Sequence, residues 1–241
     1  FMSIKEDQIW DVFNSNKPIS IDARWLEQVY SLDLSIELRF TIGERLGLLA
    51  NKGWNEIKIL IDKHGSQPEF IHAAGLCHQI EACDFLLKLL KKRNSPDLTI
   101  VNALACWGAI IQTAELKKIL KEDSMQMRLA GLNLLSFKSH LLNASELLEL
   151  VEDLLDDSRE GVVIQLIKIL QRRDEADVIN CIGKIARNGK GKTVSAAIIA
   201  LGAIGTRESV FLLSVLSQEL TAKTHKQIAQ KQISHQYIYA L

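Results

Sequence analysis

Several things are scarce in this 241-residue chain, and each scarcity narrows what it can be. An excess of either charge is missing: 29 lysines and arginines stand against 29 aspartates and glutamates, for a formal net charge of zero. Proteins that hold nucleic acid through its phosphates carry a basic excess, so nucleic acid is not an expected partner. No apolar run approaches the roughly 18–20 residues of a membrane span, and no basic stretch leads into an apolar one at the start. Neither a membrane segment nor a secretory leader is expected, and Phe1 ahead of Met2 reads as an addition before the natural start. The four cysteines, Cys77, Cys83, Cys106 and Cys181, form no Cys-x-x-Cys pair and sit within apolar helical patterns. Disulfides and a metal site are therefore not expected, and a reducing, cytoplasmic setting fits. With three prolines and few alternating β-branched runs, strands are not expected either. The fold class reads as all-α.

What the chain does have is a period. Sliding it on itself superposes Leu60, Leu90, Leu120, Leu155, Ile185 and Leu216, at intervals of 30, 30, 35, 30 and 31 residues. The long interval places an insertion near Phe137–Leu142. A helix–turn–helix unit repeated about every 30 residues cannot bury its apolar face alone, so an α-solenoid (superhelix) of about six pairs is expected. First helices are expected at 34–51, 68–79, 96–109, 124–137, 159–172 and 191–204, and second helices at 53–64, 81–93, 112–122, 144–156, 174–187 and 207–220. Start signals support this. Ser66, Pro68 and Glu69 read as a cap, Pro96 as the first residue of a helix, and Asn143 with Glu146 as a capping box. Ser3 and Glu6 share that spacing ahead of an opening helix over 3–14, which Asn16, Lys17 and Pro18 break before a second helix over 22–31. Small residues such as Ala74 and Gly75 let helix axes approach closely. The whole chain, 1–241, reads as one domain: an N-terminal helical cap over 1–31, repeats over 32–220, and a capping helix over 221–241 that carries Ile228, Ile233 and Tyr237.

The clearest unit is Ala200-Leu201-Gly202-Ala203-Ile204-Gly205, followed by Glu208, Val210, Leu213 and Leu216. It resembles the short bacterial HEAT repeat that is common in the phycobilin lyase family. The resemblance extends over about 34–220, with only the sixth unit close to the consensus. It implies HEAT-like pairs, and for the lyase family it implies handling of a bilin and of biliproteins. HEAT repeats also build scaffolds with no pigment, so fold is implied more strongly than activity.

Candidate sites follow from the register. Lys58, Lys88 and Lys118 hold one position of three successive second helices, with Lys91 and Lys121 a turn later. Stacked, they would form a basic stripe able to hold carboxylates, either bilin propionates or an acidic protein surface; the competing reading is a plain solvated face. The sign then reverses through Glu146, Glu149, Glu152, Asp153 and Asp156, and returns with Lys184, Arg187, Lys190 and Lys192. Such blocks suit protein recognition. Trp54 and Trp107 read as pocket aromatics or as plugs of repeat joints. Gly189-Lys190-Gly191-Lys192-Thr193 lacks the first glycine and the preceding strand of a phosphate loop, so it reads as a flexible turn. His72, Cys77, His78 and Cys83 lack zinc spacing and read as core. A HEAT-like DNA glycosylase would also use tryptophans with an aspartate, but the basic excess is missing. No catalytic residue can be located. The expected function is a scaffold or chaperone that binds a protein along the second-helix face without a cofactor. The alternative is a phycobilin lyase or lyase-subunit-like protein, with a bilin as ligand and a biliprotein as client.

Overall fold

The computed structural model describes residues 6–15, 21–92 and 94–238, and every regular element among them is a helix. The fold class is all-α. The expectations for Ser3, for the break at Asn16, Lys17 and Pro18, and for the Tyr237 side chain fall outside the described residues. Internal packing divides the chain into two compact units, Phe1–Trp107 and Gly108–Leu241.

In the first unit, α1 (Glu6–Asn14) and α2 (Ala23–Val29) precede two helix pairs. These are α3 (Ile36–Leu48) with α4 (Ala50–His64), and α5 (Pro68–Leu76) with α6 (Ile80–Lys92); α7 (Leu98–Ala103) follows. α3 packs on α5 and α5 on α7, while α2 packs on α4. First and second helices thus form separate layers, with Leu46, Ile57, Leu60, Phe70 and Ile100 buried in the core. The small residues act between successive first helices. A Cβ on Gly47 would lie 2.8 Å from the Ala73 carbonyl oxygen, and one on Gly75 would lie 2.5 Å from that of Ala103. Any side chain there would force the stacked helices apart.

The second unit holds α8 (Thr113–Lys121), α9 (Met125–Lys138), α10 (Ala144–Val151), α11 (Glu160–Leu170), α12 (Ala176–Asn188), α13 (Lys192–Ile204), α14 (Arg207–Glu219) and α15 (Lys223–Ile238). First helices α9, α11 and α13 stack in one layer, and second helices α8, α10, α12 and α14 stack in the other. Each helix meets the element two places along, which is the connectivity of a solenoid. α15 packs on α13 and α14 as the expected terminal helix: Ala229 is buried, and Gln236 Nε2 donates to the Gly202 carbonyl at 2.7 Å.

Most helix bounds fall within a few residues of those expected, and the differences have local causes. Asn143 and Glu146 form the expected capping box, each backbone-to-side-chain bond being 2.9 Å. Gln67, not Ser66, precedes α5, which leaves Glu69 free to turn inward. Pro96 lies outside α7, whose cap is Asp97 accepting from the Thr99 amide at 2.8 Å. The helix expected over 96–109 tightens after Ala103 into a 3₁₀ segment, Ala105–Ile110. Its Gly108 lies against the backbone of Leu134, where a Cβ would collide. The helix expected over 144–156 tightens likewise at Glu152–Leu154, and the insertion near 137–142 is the 3₁₀ turn Ser139–Leu141. His78, expected inside a first helix, instead ends it at φ 51°, in the left-handed region. Gly205 meets the same need in the sixth pair at φ 67°, without the steric cost that a Cβ brings.

Candidate functional site

The second-helix layer carries the charges that the register singled out, and most of them are engaged. Lys58 Nζ lies 3.1 Å from Glu81 on α6, and Trp54 Nε1 donates to the same carboxylate at 3.3 Å. The Lys58 hydrogen bond and then that of Trp54 hold the Glu81 carboxyl below its usual range. Trp54 is 3% exposed and packs on Phe85, so it plugs the joint between α4 and α6. Lys118 pairs with Glu115 of its own helix at 3.3 Å, and Lys121 with Asp153 at 3.4 Å. Lys88 and Lys91 are exposed and make no ion pair among the described residues. Trp107 is half-buried, and its buried Nε1 has no acceptor among the described residues.

Taken seam by seam, these pairs form rungs between successive second helices. Lys63 reaches Glu27 across α2/α4, and Lys58 reaches Glu81 across α4/α6. Lys117 reaches Glu149 at 3.2 Å and Lys121 reaches Asp153 across the seam of α8 with α10 and its 3₁₀ extension. Arg187 reaches Glu219 at 2.8 Å across α12/α14. The α10/α12 seam has no such rung among the described residues.

That seam is also hollow. Two hollows of about 480 and 720 Å³ adjoin along it and share Leu155, Cys181 and Lys184. Their apolar lining includes Leu148, Leu155, Val163, Cys181 and Ile185, and neither is lined by an aromatic residue. Of the six residues that mark the period, five are buried and Leu155 is half-buried. Around this lining stand Glu149, Glu152 and Asp156 from the α10 side, and Lys184, Arg187 and Lys190 from the α12 side. Burial raises the Cys181 thiol above its usual pKa, and the nearby Lys184 opposes this. The other thiols offer no metal set. Burial lifts Cys77 to about 12 and Cys83, helped by Asp84, to about 11; Cys106 is exposed in the 3₁₀ segment.

The seam is held at both ends. Arg173 Nη1 donates to the carbonyls of Ser139 and Leu142 at 2.6 and 2.9 Å, tying the turn before α12 to the turn before α10, and its guanidinium also pairs with Glu175. At the far end the Glu160 carboxylate accepts from the Lys192 amide at 3.1 Å, at the start of α13. The Gly189–Thr193 turn is further tied by Thr193 Oγ1, which donates to the Lys190 carbonyl at 2.7 Å. The hollows are thus tied at their ends, with no ion pair along the seam among the described residues.

Two buried carboxylates escaped the sequence reading. Glu69, 1% exposed, accepts from the Tyr30 hydroxyl at 2.5 Å and lies 3.5 Å from Arg39 Nε; burial and then Glu69 push the Tyr30 hydroxyl above its usual range. Asp157, whose side chain is likewise 1% exposed, accepts from Arg128 at 2.6 Å and from Arg159 Nε and Nη2 at 2.7 Å each. The Arg159 hydrogen bond is the main reason its carboxyl lies well below the usual range. Arg128 and Arg159 also donate to the carbonyls of Glu122 and Asp123, so Asp157 clasps successive inter-repeat turns. The signal for Glu69 was a carboxylate within an apolar helix start. For Asp157 it was an aspartate two residues from an arginine.

No protein-family model matches the chain, and neither does any curated protein. Among solved structures it is similar to the complex of CpcE and CpcF of phycocyanin lyase from a Nostoc species, at 14% identity and a TM-score of 0.49, covering 92% of this chain and 97% of that chain. It is also similar to human deoxyhypusine hydroxylase in complex with glycerol, at 16% identity and a TM-score of 0.41, covering 88% of this chain and 84% of that chain. At this distance neither likeness assigns a site or an activity. Among the described residues no helix is long and apolar enough to cross a membrane, and no three His, Cys, Asp or Glu side chains gather as a metal site.

Proposed function

We propose that the chain is a non-enzymatic protein-binding scaffold that seats a segment of its partner in the α10/α12 groove. The observation that carries this reading is the coincidence of the unbridged seam with the two adjoining hollows. Rungs hold neighbouring second helices to each other at α2/α4, α4/α6, α8/α10 and α12/α14. Here, half-buried Leu148 and Leu155 and charges of both signs line the hollows instead, as at the core and rim of a binding surface. The reading needs no cofactor.

Lys88 and Lys91 on α6 form the rival patch, since they are the stripe lysines left without an ion pair among the described residues. The two sites separate in one experiment. The wild-type chain, an Asp156→Lys/Lys184→Glu variant and a Lys88→Glu/Lys91→Glu variant are each used to capture partners from the source lysate, followed by mass spectrometry. The groove variant is expected to lose the protein that the other two retain. Loss from the α6 variant alone would move the site to the lysine stripe, and retention by both variants would remove both sites. A tetrapyrrole absorption band in the eluate would favour the lyase-like reading that the Ala200–Gly205 resemblance implies.

A further inference from the structure

The walls of the α10/α12 groove differ in sign. Glu149, Glu152 and Asp156 line the α10 side, while Lys184, Arg187 and Lys190 line the α12 side, with Asp177 as the one acid at the start of α12. Glu149 and Arg187 are turned toward outer neighbours, Lys117 and Glu219. Glu152, Asp156, Lys184 and Lys190 are exposed and make no ion pair among the described residues. Opposite charges thus line the two sides of a hollow without meeting across it.

We infer that the occupant is an amphipathic helix whose apolar stripe runs between a basic edge and an acidic edge, the basic edge lying on the α10 wall. This rests on the seam being the binding groove. The walls themselves argue for a helix. Residues 145–154 and 177–188 of the walls are helical, so their backbone groups are already bonded within the helices and offer no sheet edge to an extended chain; a helical occupant satisfies its own backbone. The apolar lining, with Leu148 and Leu155 half-buried and Cys181 and Ile185 buried, is flanked by charge on both sides, which suits a single apolar stripe with polar edges. α12 has 13 residues, or about 20 Å at 1.5 Å per residue, which sets an occupant of three to four turns. A helix with like charge on both edges would place one edge against a wall of its own sign, so the walls select against it. The bipolar arrangement also fixes direction, because reversing the helix exchanges its edges.

The probes are stapled helical peptides of about 14 residues with one leucine stripe. Their edges are Lys/Glu, Lys/Lys, Glu/Glu or Gln/Gln, and binding to the full chain is read by fluorescence anisotropy at low salt. The Lys/Glu peptide is expected to bind about tenfold more tightly than either uniformly charged peptide. In a Lys184→Glu/Lys190→Glu variant, which makes both walls acidic, the preference is expected to pass to Lys/Lys. The inference is overturned if a uniformly charged peptide binds the wild type as tightly as Lys/Glu, if the variant does not change the order, or if no peptide binds. None of these results touches the groove itself, which the lysate capture with groove variants decides separately.

Discussion

Two neighbouring seams of the second-helix layer, α8/α10 and α10/α12, offer similar charges and finish differently. Across the first, Lys117 and Lys121 meet Glu149 and Asp153 at 3.2 and 3.4 Å. Across the second, the same acidic segment faces a helix that carries Lys184 and Arg187, yet no rung forms among the described residues. Asp153 and Arg187 are held from outside, by Lys121 and Glu219, while Glu152, Asp156 and Lys184 are exposed and make no ion pair among the described residues. Opposite charge in register is therefore not enough to close a seam. At the second seam some charges turn to outer neighbours and the rest stand unpaired beside the hollows.

The largest expected effect breaks the clasp beside these seams. Asp157→Asn leaves Arg128 and Arg159 without their shared charge. Because the clasp sits just beneath the surface, we expect a loss of about 2 kcal/mol, below the usual range for a broken buried pair. The folded-state pKa of Asp157 is depressed, so its contribution is fully present above the unfolded value of about 4 and is lost as the pH falls through the folded value. Denaturant melts of both proteins should differ by a constant amount from pH 8 to about pH 5 and converge only below about pH 4. A gap that is unchanged at lower pH would contradict the assignment.

A smaller effect sharpens the contrast between the seams. Leu148 is half-buried and lines the hollow, so Leu148→Trp should fill the groove while changing stability by no more than about 0.5 kcal/mol. Capture of the partner, quantified by mass spectrometry, should drop about tenfold while the melting curve stays in place. The smallest effect tests the bridged seam. Lys117→Gln with Lys121→Gln should cost under about 1 kcal/mol in low salt, and the difference should vanish at about 1 M salt because these pairs are exposed. A loss of partner binding from that double variant would mean that the rungs, too, serve recognition.

Much of the fold was legible because local signals agreed with one another. The Asn143–Glu146 capping box and Pro68 begin helices as read, and α13 ends at Ile204, where expected. The period was legible because its leucines and isoleucines must reach the core, and five of the six are buried. The 3₁₀ segments were not, since the tightening at Ala105–Ile110 brings Gly108 against Leu134, a contact no local pattern encodes. The site was legible only as charge. Spacing aligned Lys58, Lys88 and Lys118 but could not say that Lys58 would turn to Glu81 and Lys118 to Glu115. Equally, Leu155 belonged to the register, but only the packing shows it half-exposed at the groove.

Hydrogen–deuterium exchange of the full chain, alone and saturated with the captured partner, tests the groove most directly. Slowing is expected over 145–155 and 177–190, with α4 and α6 unchanged. Unchanged exchange in both of those segments, with slowing centred on α4 and α6 instead, would contradict it.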